Sequence, residues 1–313
     1  MVQSTISFPI KPSAVRYIKL GEGGAWEADC LNTGTVRIGF GSAWPERFAY
    51  CQEGRWEDLR ATFLAEGRSK GTASRFAKEV RTFFEDDGST LWITFSGLRL
   101  HWAFLSNEPP QLHSDAFSVV RPTFGSWSCR DAIGEELTTD RLPGSLTKLA
   151  AFRGTSCNVG MADYVVRRIN GERIPQVERG IAAYEQAKSS TLALIQLLDW
   201  KDFETLVDLI LSSSGWRRVG VVGKTQKTLD LDVILPSTGE RALVQVKSAS
   251  TSRELAEYLA ALSDAGPFDR LIYVHHSGTV ETDDERALVI GPERVAELAL
   301  DAGLMKWLID KAS

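Results

Sequence analysis

Hydrophobic and polar residues alternate most regularly between residues 229 and 247, where two β-rich runs flank a Pro-Ser-Thr-Gly turn. This pattern predicts a β-hairpin. Side chains on a strand alternate between its two faces. Asp230 and Asp232 therefore share one face of the first strand, and Gln245 and Lys247 share one face of the second. If the two faces coincide, a carboxylate, an amide and an ammonium group meet at the sheet surface.

The segments around this hairpin predict an α/β domain. Residues 182–198 have a helical pattern, and Asp199 is placed to cap a second helix that buries Phe203 and Leu206. Strands are expected at 216–222, 271–275 and 287–290, and helices from Ser252 and over 292–311. We therefore expect a mixed sheet with helices on its faces. The domain limits expected from this change of pattern are 1–165, a linker and helix at 166–190, and 191–313.

The first part of the chain has the pattern of an α+β domain. Strands are expected at 14–20, 35–40, 90–95 and 98–104, with a hairpin turn at Ser96 and Gly97 between the last two. Between the early and late strands lie two amphipathic helical patterns, one starting at Trp56 and one carrying Phe76, Val80 and Phe83.

Composition excludes several classes of protein. The 313 residues carry a net charge of −5, which argues against a basic protein that coats nucleic acid but leaves room for a local basic cleft. The four cysteines are scattered, without a Cys-x-x-Cys pair, so a zinc ribbon or a disulfide framework is not expected. The sequence has no apolar run of membrane-spanning length and no signal-peptide pattern. These features predict a cytoplasmic protein.

The polar groups on the predicted hairpin suit the hydrolysis of a phosphodiester. A bound metal ion lowers the pKa of a water nucleophile and neutralises phosphate charge. Mg²⁺ prefers oxygen ligands and needs only one or two carboxylates. Asp232 offers a carboxylate, the Gln245 carbonyl a neutral oxygen and Glu204, on the preceding helix, a second carboxylate. Lys247 is placed to hold or deprotonate the water, or to neutralise charge that develops on phosphate.

Four sequence elements in order resemble the PD-(D/E)XK nuclease superfamily, and more narrowly its Mrr-like branch, in which glutamine replaces the usual glutamate. They are Phe203-Glu204, Gly215-Trp216, Asp232-Val-Ile and Val244-Gln-Val-Lys247. The resemblance covers about residues 195–280. It implies that Asp232 and Gln245 bind Mg²⁺ or Mn²⁺, that Lys247 is the catalytic lysine and that Glu204 is the helix carboxylate.

Two positions in this region leave choices open. Asp230 is an alternative ligand to Asp232 because both lie on the same face; Asp232 is favoured because its distance to Gln245 suits a hairpin that turns at 236–240. In place of the glycine-rich approach to the aspartate that is usual in Mrr-like sequences, this chain has Lys-Thr-Gln-Lys-Thr. Lys224 and Lys227 in that loop are candidates for contact with phosphates.

The first part of the chain resembles the start of PUA-like modules, including the EVE type, in the segments 17–24 and 34–39. In restriction enzymes such modules read modified bases. The resemblance implies a nucleic-acid recognition domain, in which Trp26 and Trp44 are the candidates for stacking on a base. Core packing is the alternative interpretation of both tryptophans.

Together these features predict a Mg²⁺-dependent DNA endonuclease. The family resemblance implies a restriction or antiviral defence enzyme that acts on foreign or modified DNA. The alternatives are a non-catalytic nucleic-acid-binding protein on a degenerate nuclease fold, and a nuclease directed at RNA. Cleavage of both strands of a duplex needs two active sites, which favours a homodimer.

Overall fold

The computed structural model describes residues 6–40, 44–220, 230–262 and 268–313. The chain divides into two compact units, Met1–Arg173 and Ile174–Ser313. The predicted linker segment, 166–190, contains the end of a helix in the first unit and the start of a long helix in the second. An α+β unit followed by an α/β unit with a mixed sheet confirms the predicted fold class.

The first unit combines two sheets with helices inserted between their strands. Its described strands are β1 (Ala14–Ile18), β2 (Thr35–Ile38), β3 (Thr90–Ser96), β4 (Arg99–Phe104), β5 (Gln111–Leu112), β6 (Val119–Pro122) and β7 (Ser156–Asn158). Its described α-helices are α1 (Glu27–Thr33), α2 (Trp44–Gln52), α3 (Trp56–Ala65), α4 (Lys70–Phe84), α5 (Gly144–Thr147) and α6 (Ala162–Ile169). The sheets have the strand orders β4-β3-β1-β7 and β2-β6-β5. Only β1 and β3 pair in parallel among these described strands.

The predicted hairpin between β3 and β4 is present, but its turn differs in one residue from the sequence expectation. The sequence pattern places Leu98 at the start of the second strand, directly after the turn. It instead occupies the turn with φ +61°, next to Gly97 at φ +55°, and its side chain is 80% exposed. Two-residue hairpin turns with two positive φ values match the twist of the strands, and this need outweighs the burial of one leucine.

The second unit is built on one mixed sheet with the order β12-β11-β10-β9-β8 among its described strands. These strands are β8 (Arg217–Gly220), β9 (Leu231–Leu235), β10 (Glu240–Ala249), β11 (Arg270–Ser277) and β12 (Ala287–Ile290). Strands β10, β11 and β12 are parallel, whereas β9 is antiparallel to both β8 and β10. The described helices are α7 (Pro175–Ile195), α8 (Trp200–Ser213), α9 (Ser252–Leu262), α10 (Pro292–Asp301) and α11 (Met305–Ala312).

Local signals set most helix ends in this unit. Asp199 caps α8 as predicted, accepting hydrogen bonds from the amides of Lys201 and Asp202 at 2.8 and 2.9 Å. Helix α7 begins seven residues earlier than predicted, because Pro175 at its first position has a φ already suited to a helix. The single closing helix predicted at 292–311 is two helices, since Gly303 adopts φ +71° between them.

Alternate side chains of β10 pack into different cores on the two faces of the second sheet. Ala242, Val244 and Val246 face a core shared with α7, α8, α10 and α11. Leu243 faces the other way, into a smaller core with Leu255 and Leu259 of α9. Because side chains alternate along a strand, Gln245 and Lys247 lie on the α9 face.

Candidate active site

The β9–β10 hairpin places the predicted polar residues on one face. Asp232 is opposite Leu243, and Leu231 is opposite Val244. The next residue, Asp230, donates its backbone N–H to the carbonyl of Val244 at 3.1 Å. Asp230, Asp232, Gln245 and Lys247 therefore share the face that α9 covers in part, as the period of two predicts.

Asp230 is the aspartate that contacts Gln245. The Gln245 Nε2 group donates a hydrogen bond to Asp230 Oδ2 at 2.6 Å. The backbone N–H of Val246 donates to the same oxygen at 2.7 Å. Gln245 is only 2% exposed, so this contact lies at the edge of the core rather than in open solvent. The Gln245 amide and the Val246 N–H therefore both donate to one oxygen of Asp230 and fix the orientation of that carboxylate.

The carbonyl oxygen of Gln245 is the unusual atom of this pair. It is buried and has no hydrogen-bond partner among the described residues. A buried polar atom without a partner is costly, and a cation is one group that would satisfy it. An amide oxygen beside a carboxylate is a donor set that suits Mg²⁺ or Mn²⁺. Within the described ranges, no three His, Cys, Asp or Glu side chains cluster as a metal site, so a metal here would depend on the Gln245 oxygen and on water.

Asp232 has a different environment, and the expectation that it is the aspartate near Gln245 is wrong in geometry. Its carboxylate receives two hydrogen bonds from Arg241, at 3.0 Å from Nε and 2.5 Å from Nη2. The Arg241 guanidinium also lies 4.8 Å from the centre of the Phe268 ring. The strand register explains the difference, because Asp232 lies two residues closer to the turn. Arg241 shares the odd-numbered face of β10 with Gln245, a sequence signal that would have identified this partner.

The charges around Asp230 shift one another's pKa values. Burial raises the pKa of Asp230, while the Val246 amide and the Lys247 ammonium act in the opposite direction. Burial and then the negative charge of Asp230 raise the pKa of Glu204 on α8, against Arg218, Lys201 and Lys247. Glu204 is therefore within electrostatic reach of the Asp230–Gln245 pair. Carboxyls whose pKa values are raised by burial and by a neighbouring charge are candidates for functional groups.

Lys247 contacts a residue that the sequence patterns did not identify. A hydrogen bond to the Tyr258 hydroxyl raises the pKa of Lys247, against the effect of burial, so the side chain is an ammonium at neutral pH. The Lys247 Nζ atom lies 5.3 Å from the centre of the Tyr258 ring. Tyr258 adjoins the apolar stripe of Leu255 and Leu259 on α9, and this position at the edge of the stripe was the available signal.

The predicted nucleic-acid contacts have different outcomes. Lys224 and Lys227 lie outside the described residues. Trp44 is fully buried in the core of the first unit, where it cannot stack on a base, so that expectation is wrong. The tryptophan begins α2, and its large apolar area outweighs the loop-like sequence around it. Trp26 lines a surface cleft of about 420 Å³ together with Lys19, Gly21, Glu22, Gly39, Phe117, Arg153, Gly154 and Thr155.

The Trp26 ring has a fixed orientation in this cleft. The Arg37 guanidinium lies 4.2 Å from its centre. Arg37 is itself held by the hydroxyl of Ser118 at 2.8 Å and by the carboxylate of Asp115. A Cβ atom at Gly39 would lie 2.8 Å from the Trp26 ring, so glycine allows the backbone to approach the indole this closely. Lys19 and the exposed Arg153 give the cleft positive charges.

A protein-family model matches part of the second unit. Residues 195–283 match the Mrr-type family model for a restriction endonuclease. This segment is a restriction-endonuclease domain. The match includes Glu204, Asp230, Gln245, Lys247 and Tyr258, so the polar pair described above lies inside the restriction-endonuclease domain. No curated protein matches the chain significantly.

A solved structure of the MspJI restriction endonuclease in complex with a 27-mer oligonucleotide is similar to this chain at 10% sequence identity. The alignment covers 90% of this chain and 74% of that one, with a TM-score of 0.24.

Every helix in the described ranges is too short or too polar to span a membrane.

Proposed function

We propose that this chain is a DNA endonuclease that depends on a divalent metal ion, Mg²⁺ or Mn²⁺. One observation carries the proposal: the buried amide oxygen of Gln245, which has no hydrogen-bond partner within the described part of the chain, lies beside the Asp230 carboxylate inside a restriction-endonuclease domain. Asp230 and Gln245 would hold the metal, and Glu204 would provide the second carboxylate. The bound metal would lower the pKa of a water molecule and bind a phosphate oxygen.

Lys247 contributes a permanent positive charge to this reaction. Its raised pKa keeps the side chain protonated at neutral pH, which opposes a role as a general base. The ammonium is therefore suited to stabilise the negative charge that develops on the phosphate, and to orient a water by donating hydrogen bonds. Asp232, which is paired with Arg241, takes no part in this scheme.

Metal dependence separates this function from a binding protein on a degenerate nuclease fold. Supercoiled plasmid is incubated with the purified chain and Mg²⁺ or Mn²⁺, with EDTA as the control. Nicked or linear product only in the metal samples supports the endonuclease, and intact plasmid in all samples contradicts it. Labelled DNA and RNA of the same sequence, tested in parallel, identify the nucleic acid that is cut.

We propose that the Trp26 cleft of the first unit contacts nucleic acid and contributes to target choice. An aromatic ring with a fixed orientation stacks on a base, while Lys19 and Arg153 attract phosphate. The volume of about 420 Å³ is within the usual range for small-ligand pockets and suits one nucleotide. A role in defence against foreign or modified DNA, and assembly as a homodimer for duplex cleavage, belong to the same proposal.

The cleft is tested with the variant Trp26→Ala, and Phe124→Ala provides a matched control at an exposed aromatic residue of the same unit. Binding is measured in EDTA on unmodified, methylated and hydroxymethylated duplexes. Loss of one stacked base should weaken binding by about 1–3 kcal/mol, which is roughly 5- to 150-fold. Equal affinities for wild type and Trp26→Ala on every duplex would exclude the cleft as a contact.

A further inference from the structure

A tyrosine of α9 lies beside the side chain of Lys247. The Lys247 Nζ atom lies 5.3 Å from the centre of the Tyr258 ring, and the Tyr258 hydroxyl raises the pKa of Lys247. The two residues come from different elements, β10 and α9, which meet on the face of the sheet that carries Asp230 and Gln245. Because a phenol is neutral, this contact restrains the ammonium without cancelling its charge.

The Tyr258 ring rests on a second, fully buried tyrosine. Tyr273 of β11 is opposite Gln245 in the sheet, and its ring centre lies 5.8 Å from that of Tyr258 at an interplanar angle of 51°. Tyr273 is 0% exposed, and its hydroxyl is 2.5 Å from the Ser250 hydroxyl. A buried ring that is anchored at its hydroxyl has little freedom to move, so it fixes the plane against which Tyr258 packs.

The start of α9 is attached to the same group of residues. Ser250 donates a hydrogen bond to Glu254 Oε2 at 2.9 Å. The Thr251 amide donates to Glu254 Oε2 at 3.1 Å, and the Glu254 amide donates to Thr251 Oγ1 at 3.5 Å, which is a capping box. Tyr258 follows Glu254 by four residues, so both lie on one side of the helix. The cap therefore sets the position from which Tyr258 reaches Lys247.

We propose that Tyr258 is a positioning residue for Lys247, supported by the chain of contacts through Tyr273, Ser250 and Glu254. The inference rests on the proposed nuclease function, since Lys247 must act in cleavage for its position to matter. A lysine side chain loses rotamer entropy when it is held in one geometry. A partner that holds it before the reaction removes part of this cost from the barrier.

The test compares variants that separate the hydroxyl from the ring. Tyr258→Phe removes the hydroxyl and keeps the packing against Tyr273, whereas Tyr258→Leu removes both. Tyr184→Phe, at an exposed tyrosine of α7, makes the same chemical change away from the site. For each full-length variant we would measure the single-turnover cleavage rate at saturating DNA with Mg²⁺, the Kd for DNA in EDTA and the Tm.

We expect Tyr258→Phe to lower the cleavage rate about tenfold, with Kd and Tm close to those of wild type. Tyr258→Leu should lower the rate further and reduce the Tm, and Tyr184→Phe should match wild type. If Tyr258 only fills space, Tyr258→Phe will cleave at the wild-type rate. If Tyr258→Phe cleaves at the wild-type rate while Lys247→Ala is inactive, the positioning role is wrong and the proposed function stands. Full activity in Lys247→Ala would instead contradict the proposed function itself.

Discussion

The β9–β10 hairpin has two ends with opposite electrostatic character, although both present acidic residues on the same face. Near the turn, Asp232 is paired with Arg241, and Glu240 is paired with Arg270 at 2.5 Å. At the other end, Asp230 contacts an amide and a backbone N–H, and the Gln245 oxygen has no partner among the described residues. At the first end each carboxylate is neutralised by an arginine, whereas at the second end the Asp230 carboxylate contacts only neutral donors among the described residues.

This contrast distinguishes a carboxylate of the proposed site from a carboxylate in an ion pair. Asp230 and Asp232 have the same side chain and the same strand face, and they are two residues apart. What separates them is the partner across the hairpin, which is arginine in one case and glutamine in the other. An arginine completes a carboxylate, whereas an amide leaves it available to a further ligand.

The largest effect expected from this contrast is on cleavage. Asp230→Asn keeps the shape of the side chain and removes the charge that would hold the metal, so cleavage should fall by at least about 100-fold. Asp232→Asn, the matched control, should cleave at close to the wild-type rate per folded molecule. The measurement is single-turnover cleavage of a labelled duplex with Mg²⁺. A loss in Asp232→Asn of the size seen in Asp230→Asn would remove the distinction between the two ends.

Thermal stability in the presence of metal provides a second measure, independent of cleavage. A ligand that binds only the folded chain adds about 2.7 kcal/mol of stability at 100 times its Kd. Mg²⁺ or Mn²⁺ should therefore raise the Tm of the wild type and of Asp232→Asn. In Asp230→Asn this increase should be absent or much smaller. Equal increases in all three proteins would place the metal elsewhere.

The ion pair near the turn should contribute to stability more than to function. Asp232→Asn leaves Arg241 without its carboxylate, and we expect the Tm without metal to fall by a few degrees. The decrease is moderated by solvent, because the Arg241 side chain is 37% exposed. Thermal unfolding of the wild type and of both asparagine variants in EDTA measures this decrease. If Asp230→Asn is the more destabilised variant, the assignment of structural and functional ends is reversed.

The smallest effect concerns pH. Asp230 and Glu204 have raised pKa values in the folded chain, so each favours folding below the ordinary carboxyl pKa of about 4 and loses that contribution as pH rises through its folded value. Without metal, lowering the pH from about 7 to about 5 should therefore favour the wild type relative to Asp230→Asn. With Mg²⁺ the sign reverses, since the metal requires ionised carboxylates. Parallel pH dependences in EDTA would contradict the raised pKa of Asp230.

The sequence was sufficient for those features that depend on local periodicity. The hairpin, the common face of Asp230 and Asp232, the common face of Gln245 and Lys247, and the Asp199 cap follow from alternation and spacing alone. The burial of Phe203 and Leu206 on α8 was predicted in the same way. The family match at 195–283 confirms the predicted restriction-endonuclease domain.

Features that depend on contacts between distant residues were not predictable. The choice between Asp230 and Asp232 needs the register of β9 on β10, and a shift of one pair changes every neighbour. Trp44 is buried by side chains from several helices, none of which its own flanking sequence specifies. Tyr258 reaches Lys247 only because α9 crosses over the sheet, which is a consequence of tertiary packing.

The capping box of α9 has a further consequence, for hydrogen exchange and local unfolding. Helices in proteins open in cooperative segments, often without global unfolding. Because Glu254 both caps α9 and contacts Ser250, fraying of the first turn would release the backing of Tyr258 and the restraint on Lys247 together. The amide protection of the first turn of α9 should then follow activity as temperature rises, below the Tm of the whole chain. The working range of the enzyme would in that case be set by one helical turn rather than by the stability of its core.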